Sequence, residues 1–554
     1  MSAIADSVSA NPANEQRLSS EKQSLEESLA LLSHFRTLAQ IGSVVALVSM
    51  ALGACSGCPP GAEFPKHESV ALAKPEETNL GGQFVRAARL HPGDSGFRIL
   101  SVGADGFRAR AQMIDAAQQT LDLQYYIFRG DETGRMLTDH LAQAAERGVR
   151  IRVLIDDGDT VAGDEQILRL LKHHSVEIRI YNPAKYRGHV KFVRRLEFVL
   201  NAGRLDYRMH NKMLVADNAA ALIGGRNIGN QYFQVDPESQ FADDDVFAVG
   251  QVVPELSRTF DEFWNSSPAI PAEALGRSRG ESRAPKPDAG GIDYAALLAN
   301  GEPYAGIMSG ELPLSWAPAQ VVYDSPDKKH VLSGAIPGAL IVPEVEKSIR
   351  AVQSEMLLIT PYMVPTADEL HALMDLRERD VRVRILTNSL ESCPEISAQS
   401  GYDKYRVPLL KSGVELHEVR ALLGNTRGSG QSAKISRYGN YALHGKLYVF
   451  DRRKMFIGSM NFDQRSQRIN TEIGLIIGSA DLAQKTALRF ESMVKPENCY
   501  TLALSPAAAP GKSQLTWRTE EDGRSIEFDQ EPGRSGWQRL QARILALLPL
   551  GREL

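Results

Sequence analysis

A motif that occurs twice constrains the fold of this 554-residue chain more than any other feature. The first copy is "MHNKMLVADNAAALIGGRNIG" at residues 209–229, and the second is "LHGKLYVFDRRKMFIGSMNF" at residues 443–462. All matched residues keep one offset of 234 positions (444 minus 210), which indicates an internal duplication. The matched pairs are His210 with His444, Lys212 with Lys446, Asp217 with Asp451, Gly224 with Gly458, Gly225 with Ser459, and Asn227 with Asn461.

The spacing of the motif predicts a polar site at one end of a β-hairpin. Side chains alternate along a strand, so a histidine and a lysine two residues apart share one face. The small residues let the backbone approach a bound group closely, and the asparagine supplies an amide donor. A single histidine in a strand is ordinarily structural, but two copies of one arrangement indicate chemistry. Facing each other across a pseudo-two-fold axis, the copies would bind one tetrahedral anion, and phosphate is the obvious candidate.

The aspartate of each motif has two interpretations. We include Asp217 and Asp451 in the candidate catalytic set, together with the histidine and lysine of each copy. Because each aspartate lies where a strand turns, capping of that turn is the alternative role. The predicted phosphate-binding residues are Gly225, Ser459, Asn227 and Asn461.

Helix and strand patterns alternate in both halves, which predicts an α/β fold. In the first half the order is helix, strand, helix, strand, strand, at residues 107–119, 120–128, 134–149, 150–156 and 175–182. The second half repeats this order at residues 342–353, 355–362, 367–380, 381–388 and 413–419. Two copies are enough for a pseudo-dimer of related domains.

Composition and patterning divide the chain into seven segments. The predicted segments are a disordered extension (1–33), a lipoprotein-type signal (34–55), a tether (56–85), the first domain (86–265), a linker and connecting segment (266–335), the second domain (336–510) and a C-terminal membrane-proximal segment (511–554). In the last segment an apolar stripe lies beside Arg539 and Arg543 and consists of Trp537, Leu540, Ile544, Leu547 and Leu548. This stripe predicts either a helix in a bilayer interface or a helix packed on the second domain.

Residues 34–55 have the pattern of an export signal. His34 and Arg36 form a basic flank, and the apolar stretch Ile41–Leu52 is too short for a transmembrane helix. The ending "LGAC" resembles a bacterial lipobox, in which Cys55 becomes the lipidated first residue of the mature protein. An uncleaved signal anchor is the alternative. We expect a membrane-associated lipoprotein of the bacterial cell envelope that faces the periplasm, and Ser56 favours the outer membrane.

Composition argues against several classes of function. The net charge is −5 and the isoelectric point is about 6.2, so no globally basic surface is expected for nucleic acid. Four cysteines without a second CxxC form neither a disulfide framework nor a zinc site. Cys393 and Cys499 are either free thiols or one disulfide. The run Asp243–Asp245 could belong to a cation site, but no second acidic cluster completes it, and we predict no metal.

The pattern His-x-Lys-x4-Asp-x6-Gly-Gly/Ser-x-Asn, present twice, resembles the signature of the phospholipase D superfamily, and the resemblance covers residues 95–500. The segments "LQYYIFRGDETG", "AAERGVRIRVLIDD", "FADDDVFAVG" and "LTWRTEEDG" are similar to those of bacterial cardiolipin synthases of the type C-like branch. This resemblance implies two pseudo-symmetric α-β-α sandwich domains with the active site at their interface. It also implies an enzyme that needs no metal or other cofactor.

The resemblance further implies a double displacement at a phospholipid phosphorus. We assign His210 as the nucleophile that forms a phosphatidyl-histidine and His444 as the acid and base; the near-symmetric halves leave the reverse assignment open. In this family an acidic residue after each motif orients a histidine, and Asp243 and Glu472 match those positions. Charge on the phosphate oxygens would be stabilised by Lys212, Lys446, Asn227 and Asn461.

The expected reaction is the synthesis of cardiolipin from phosphatidylglycerol and a second phospholipid at a membrane. Hydrolysis to phosphatidic acid would use the same residues and differ in water exclusion. A nucleic-acid phosphodiesterase is a third alternative, supported by the basic stretch "AKYRGHVKFVRRLEF" at residues 184–198, which anionic lipid headgroups would also explain. Two intact motifs argue against a non-catalytic lipid-binding scaffold. We therefore expect phospholipid substrates and no nucleic-acid partner.

Overall fold

A computed structural model describes residues 58–158, 167–186, 191–236, 239–276, 313–422, 441–506 and 513–547. The predicted extension, the export signal and Cys55 lie outside these residues, as does the central part of the predicted linker. Within the described ranges, no helix is both long enough and apolar enough to cross a membrane.

The described part of the first half contains nine strands and six α-helices. The strands are β1 (Ser95–Leu100), β2 (Thr120–Tyr125), β3 (Arg150–Asp156), β4 (Val176–Tyr181), β5 (Met213–Ala216), β6 (Ala220–Gly224), β7 (Gln240–Ala242), β8 (Asp245–Gly250) and β9 (Ala269–Pro271). The helices are α1 (Asn79–Arg89), α2 (Gly103–Ala116), α3 (Glu132–Glu146), α4 (Lys191–Leu200), α5 (Ala202–Leu205) and α6 (Val252–Asn265). Thr78 and Asp131 cap α1 and α3 by accepting backbone N–H groups of the first turn.

The second half, over its described residues, contains fourteen strands and seven α-helices. The strands are β10 (Ser315–Ala317), β11 (Ala319–Tyr323), β12 (Glu355–Ile359), β13 (Met363–Val364), β14 (Arg382–Asn388), β15 (Glu415–Val419), β16 (Tyr441–Leu443), β17 (Leu447–Phe450), β18 (Lys454–Gly458), β19 (Phe462–Asp463), β20 (Ile473–Ile477), β21 (Cys499–Pro506), β22 (Ser513–Glu521) and β23 (Arg524–Phe528). The helices are α7 (Lys328–Leu332), α8 (Ile341–Arg350), α9 (Ala367–Glu378), α10 (Ile396–Lys411), α11 (Gln464–Arg468), α12 (Ala480–Met493) and α13 (Gly536–Ala546). A capping box of Thr366 and Glu369 begins α9.

Two large sheets have matching strand orders. The first is β10-β1-β8-β6-β5-β2-β3-β4-β9, and the second is β11-β20-β18-β17-β12-β14-β15-β21-β22-β23. From β1 to β9 and from β11 to β21 the orders correspond strand for strand, so the motif hairpin β5–β6 matches β17–β18. In both sheets three neighbouring strands are parallel, and the first strand of the motif hairpin pairs antiparallel with the first of them. This repeated topology confirms the predicted α/β duplication.

Each sheet is covered on both faces, and the two sheets share a central core. Helices α1, α2 and α3 pack on the outer face of the first sheet, and α8, α9 and α10 pack on the outer face of the second. The inner faces of both sheets enclose α6 and α12, with Phe260 and Phe490 among the buried residues. The parallel strands are buried although they alternate apolar residues with polar ones, as in TLDLQY of β2 and RIRVLID of β3. The arrangement is the predicted pair of α-β-α sandwiches.

Short strands link the halves. In the described ends of the predicted linker, β9 pairs with β4 and β10 pairs with β1, both in the first sheet. Pro318 then separates β10 from β11, which pairs with β20 in the second sheet. A separate two-stranded pair joins β7 of the first half to β16 of the second. The chain therefore crosses from one sheet to the other within a single residue.

Both predicted end segments contain structure packed on the domains. Where the predicted tether is described, Lys66 Nζ donates to Ser266 O over 2.9 Å, and Arg152 Nη1 donates to Ser69 O over 2.8 Å. These bonds hold residues 66–69 against the first domain and the residues that directly follow it. In the predicted C-terminal segment, β22 and β23 extend the second sheet and α13 packs on α10. The buried thiols Cys393 and Cys499 are free, so they form no disulfide with each other.

Candidate active site

The motif histidines precede β5 and β17, where the backbone of each half bonds to the other. The N–H of His210 donates to Thr471 O over 2.9 Å. Met209 and Thr471 form an isolated parallel β-bridge. The N–H of His444 donates to Ala242 O over 2.7 Å, next to the paired strands β16 and β7. The two halves therefore meet at the two histidines.

Each imidazole contacts a carboxylate from the opposite half. His210 Nδ1 lies 2.9 Å from Glu472 Oε2 and 3.0 Å from Oε1, and His444 Nδ1 contacts Asp243 Oδ2. All four side chains are buried. Because each Nδ1 faces a carboxylate, Nε2 is the nitrogen that can meet a substrate. The residues that the sequence predicts to orient the histidines thus lie against them.

Two lysines supply positive charge at the same place. Lys212 Nζ donates to the carbonyl oxygen of His210, and Lys446 Nζ donates to that of His444. Lys446 Nζ also lies 3.3 Å from His444 Nε2. Both lysines are buried, and burial lowers the pKa of Lys212 to about 7 and that of Lys446 to about 8, because a buried ammonium loses hydration. An anion entering the site would restore their charged forms.

Burial also sets the protonation of the histidines. Burial, followed by the charge of Lys446, lowers the pKa of His444 to about 3. Burial, followed by the charges of Lys212 and Lys446, lowers the pKa of His210 well below its ordinary value. Near neutral pH both imidazoles are therefore neutral, and one of them can act as a nucleophile. A bound phosphate would offset the lysine charges and raise both histidine pKa values.

Hydroxyl groups and a buried ion pair fix Glu472. Ser459 Oγ donates to one carboxylate oxygen, and Ser466 Oγ donates to the other over 2.7 Å. The N–H of Glu472 donates to Asp324 Oδ2 over 3.0 Å, and Lys328 Nζ donates to the same oxygen over 2.8 Å. The Ser459 hydroxyl, predicted to bind phosphate, thus bonds the carboxylate that orients His210.

Gly225 leaves room for the other orienting carboxylate. A Cβ atom at Gly225 would lie 2.1 Å from Asp243 Oδ1, which also accepts the N–H of Asp244 over 2.8 Å. The second motif copy has Ser459 at this position. Side-chain length explains the difference, because the shorter Asp243 approaches the backbone, whereas the longer Glu472 leaves space for a hydroxyl. The Asp243 carboxylate therefore occupies the space that a side chain at position 225 would need.

The two motif asparagines have different surroundings. Asn227 Oδ1 accepts the N–H of Ile127 over 3.1 Å, and its side chain also bonds to Tyr232. Asn461 is buried, and among the described residues its Oδ1 has no hydrogen-bond partner. An unbonded amide oxygen can accept a hydrogen bond, whereas binding of a phosphate oxygen would need the Nδ2 group of either asparagine as donor.

The assignment of Asp217 and Asp451 as catalytic residues is corrected. They follow β5 and β17, so a four-residue strand separates each from its lysine. Their backbones are left-handed, with φ of 50° and 53°. The Asp217 carboxylate accepts the N–H groups of Gln118, Gln119 and Thr120, and the Asp451 carboxylate accepts those of Gln353, Ser354 and Glu355. These bonds cap the starts of β2 and β12, which is the alternative turn role.

Aromatic rings enclose the histidines. Tyr126 meets His210 edge-on with 5.1 Å between ring centroids. Tyr232 meets His444 edge-on at 5.2 Å, and Phe241 stacks on His444 at 5.3 Å. With these rings packed on them, both imidazoles have little surface open to water. The tyrosine and phenylalanine rings all come from the first half, so His444 is surrounded by aromatic residues of the opposite domain.

The acidic run after the first motif does not form a cation site. Asp244 pairs with Arg489, and Asp245 lies 2.7 Å from Arg110, while Asp243 contacts the histidine. No three His, Cys, Asp or Glu side chains in the described ranges are grouped so that they could hold a metal ion.

Sequence reasoning missed the residues that support Glu472. Ser466 lies between the second motif and Glu472 in "NFDQRSQRINTE". This nearness in sequence is the only feature that could have pointed to a role for Ser466 at the site. Asp324 is 148 positions from Glu472, and its spacing of four from Lys328 is common on helices. Nothing in the linear sequence connects that ion pair to the site.

Comparison with known proteins identifies the family. Residues 111–264 and 345–494 each match the family described as "Cardiolipin synthase, PLD-like domain". The chain belongs to this family. Cardiolipin synthase C of Escherichia coli K12 is 34% identical over 473 residues, covering 83% of this chain and 96% of that protein. Major cardiolipin synthase ClsA of Bacillus subtilis 168 is 25% identical over 403 residues, covering 72% of this chain and 68% of that protein.

Among solved structures, the phosphatidylserine synthase of Haemophilus influenzae Rd KW20 covers 76% of this chain and 92% of its own, with a TM-score of 0.49 and 13% identity. The cardiolipin synthase match confirms the family that the duplicated motif predicts, and with it the prediction of an enzyme. Each matched range contains one His-x-Lys motif and one of the orienting carboxylates.

Proposed function

We propose that the protein is a phosphatidyltransferase that makes cardiolipin from phosphatidylglycerol and a second phospholipid through a phosphatidyl-histidine. The crossed contacts carry this proposal: His210 with Glu472, and His444 with Asp243, at one site between the halves. Two imidazoles, each with Nε2 turned away from its carboxylate, suit a reaction in which one attacks phosphorus and the other moves protons. The name of the Escherichia coli relative supports the same product.

In the first step the His210 Nε2 lone pair attacks the phosphorus of the donor lipid. A phosphorus–nitrogen bond forms as the bond from phosphorus to the leaving alcohol oxygen breaks. His444 gives its Nε2 proton to that oxygen, so the alcohol leaves uncharged. Glu472 stabilises the positive charge that develops on His210.

In the second step a hydroxyl of the phosphatidylglycerol headgroup attacks the same phosphorus. Its proton passes to His444 Nε2, its oxygen bonds to phosphorus, and the phosphorus–nitrogen bond breaks. His210 returns to its neutral form, and His444 regains the proton that it gave away. With phosphatidylglycerol as donor, the products are cardiolipin and glycerol.

The buried charges give the site its affinity for the phosphate group. Lys212 and Lys446 are buried next to the histidines that precede them in each motif, and their charges act through surroundings of low dielectric. The phosphodiester raises the pKa of His444, so the acid becomes protonated only with a substrate present. Substrate binding and acid catalysis are thereby coupled.

Transfer is favoured over hydrolysis by the enclosure of the histidines. Tyr126, Tyr232 and Phe241 surround rings that are buried in the protein. A site with limited access for water gives the headgroup hydroxyl an advantage over water as acceptor. Hydrolysis to phosphatidic acid is the competing outcome of the same chemistry.

The test is product identification by mass spectrometry. The purified full-length protein is incubated with phosphatidylglycerol in detergent micelles containing EDTA, and His210→Asn/His444→Asn serves as the control. Cardiolipin and glycerol from the wild-type protein alone would support the proposal. Phosphatidic acid without cardiolipin would reassign the protein as a hydrolase, and the absence of any turnover would contradict both functions.

We propose that the protein works at a membrane of the bacterial cell envelope, facing the periplasm and anchored by lipid on Cys55. The support is the export-type pattern of residues 34–55 and its ending "LGAC". Ser56 favours the outer membrane. Metabolic labelling with a fatty acid should label the wild-type protein but not Cys55→Ala. Equal labelling of the two would contradict lipidation at Cys55.

A further inference from the structure

Large apolar side chains are exposed on two helices beside the active site, one from each half. On α4, Phe192 is 73% exposed and Val199 is 70% exposed; on α13, Trp537 is 64% exposed. We define the docking surface as Phe192, Phe198, Val199 and Leu200 of α4 together with Trp537, Leu540, Ile544 and Leu547 at α13. Exposed apolar side chains grouped on a helix in this way mark an interaction site.

Contacts connect α4 to the active-site rim. Arg194 of α4 donates to Asp157 O over 2.5 Å, directly after β3 ends. The next residue, Gly158, lies so close to Tyr126 that a Cβ would approach that ring to 2.9 Å. Tyr126 in turn meets His210 edge-on. Helix α4 thus lies at the carboxyl end of β3, on the sheet edge where His210 is located.

The corresponding position in the second half belongs to α13. Gln538 of α13 donates to Leu390 O over 2.8 Å, two residues after β14 ends at Asn388. Asn388 Nδ2 donates to Leu443 O over 2.9 Å, and Leu443 directly precedes His444. Because β14 of the second sheet corresponds to β3 of the first, the two exposed helices occupy related places on either side of the histidines.

Positive charge accompanies the apolar residues. Arg195 is exposed on α4 and Arg543 on α13. The acidic residue of α4, Glu197, is buried and accepts the N–H groups of Lys185 and Tyr186. Near α4, the exposed Lys329 of α7 donates to Gly203 O, although Asp327 at the start of that helix is exposed too. Apolar side chains with a cationic rim suit a surface that is apolar inside and anionic outside.

We infer that the docking surface inserts into the interface of a bilayer containing anionic phospholipids and presents the histidines to the headgroups. This inference rests on the proposed function, in which the substrate is a lipid. A bilayer can contact both helices at once and delivers its lipids to the site between them. A protein bound across both helices would instead cover the site.

The experiment measures the polarity of the environment around single labelled residues. In the full chain with Cys55→Ser and Cys58→Ser, a cysteine is introduced as Phe192→Cys or Trp537→Cys and labelled with a polarity-sensitive fluorophore. Matched controls are Leu90→Cys and Val70→Cys, which replace residues that are 80% and 64% exposed near the opposite ends of the sheet strands. The native Cys393 and Cys499 are buried. Vesicles contain phosphatidylcholine alone or phosphatidylcholine with phosphatidylglycerol.

With phosphatidylglycerol vesicles, the labels at 192 and 537 should shift to shorter emission wavelengths and be quenched by lipids brominated in their acyl chains, whereas those at 70 and 90 should not. Phe192→Ser should lower vesicle affinity of the Cys55→Ser protein by about tenfold. Labels at 192 and 537 that stay in water while the protein binds vesicles would overturn the inference. A shift that follows protein concentration without vesicles would also overturn it and indicate contact between copies.

The two proposals fail in different ways. The labels report insertion whether or not lipid is converted, so inactive protein with shifted labels would contradict the proposed function alone. Active protein in micelles with unshifted labels on vesicles would contradict the docking surface alone.

Discussion

His210 and Glu472 are 262 positions apart in sequence, and the Nδ1 of this histidine lies 2.9 Å from Glu472 Oε2. The reciprocal pair, His444 and Asp243, is separated by 201 positions. Each half supplies the carboxylate for the histidine of the other half, so neither half alone contains a complete site. The duplication therefore produces one candidate active site at the junction rather than two.

Removing the charge of Glu472 should slow the chemical step. An amide in Glu472→Gln cannot stabilise a positively charged His210, so we expect kcat to fall by about 100-fold or more, with KM changed by less than about threefold. Asp243→Asn should behave in the same way through His444. Steady-state kinetics in detergent micelles measures both effects.

The matched control for these variants is Asp244→Asn. Asp244 is adjacent to Asp243, but its carboxylate accepts from Ser101 and pairs with Arg489 instead of contacting a histidine. We expect kcat to stay within about tenfold of the wild type, since the histidines keep their partners. A change confined to KM in Glu472→Gln, or an equal loss in Asp244→Asn, would show that these acids do not act through the histidines.

Gly225→Ala should inactivate the enzyme by displacing Asp243. The added Cβ would lie 2.1 Å from Asp243 Oδ1, closer than atoms can approach, so this carboxylate must leave His444. We expect a loss in kcat similar to that of Asp243→Asn, about 100-fold. Gly82→Ala on α1 is the control, because a Cβ there meets nothing within 4 Å. Full activity of Gly225→Ala would show that the contact with Asp243 is dispensable.

Asp217→Ala should lower stability and leave catalysis intact. The buried Asp217 carboxylate accepts three N–H groups at the start of β2, and leaving them unpaired costs about 2–3 kcal/mol of unfolding free energy. Denaturant unfolding measures the loss. Asp522→Ala removes an exposed aspartate, also with φ of 50°, and should cost less than about 1 kcal/mol. A large loss of kcat in folded Asp217→Ala would restore a catalytic role to this residue.

Activity should fall as the pH rises above neutrality. Burial lowers the pKa of Lys212 to about 7 and that of Lys446 to about 8, so in the free enzyme these lysines lose their protons there instead of near 10.4. The loss of positive charge weakens phosphate binding, so kcat/KM should decrease through this range. A pH profile measured with uncharged detergent micelles tests the sign. A constant kcat/KM up to about pH 10 would rule out titration of these lysines.

The fold was largely predictable because its central elements carry strong periodicity. The strands predicted at 120–128 and 150–156 appear as β2 and β3, and the helix predicted at 134–149 appears as α3. The short pairings between halves, such as β7 with β16, were missed. They involve three residues per strand, and their partners are distant in sequence, so no local pattern records them.

The site was predictable as far as the duplicated motif extends. The repeated spacing identified His210 and His444 as partners, and the structure brings them to one place. Spacing could not show that the Ser459 hydroxyl bonds Glu472, because the direction of a side chain depends on packing. It also could not distinguish a turn aspartate from a catalytic one, since Asp217 recurs as faithfully as the histidines. Repetition preserves both fold and chemistry.

The covalent step is tested most directly by trapping the intermediate in His444→Asn. A phosphatidyl ester of p-nitrophenol is a suitable donor, because its leaving group departs without a proton from His444. The second step still lacks its base, so the intermediate should accumulate. Peptide mass spectrometry should then find the phosphatidyl group on His210, and His210→Asn should give no adduct. An adduct on His444 in His210→Asn without one on His210 in His444→Asn would reverse the assignment, and no adduct in either variant would contradict the covalent mechanism.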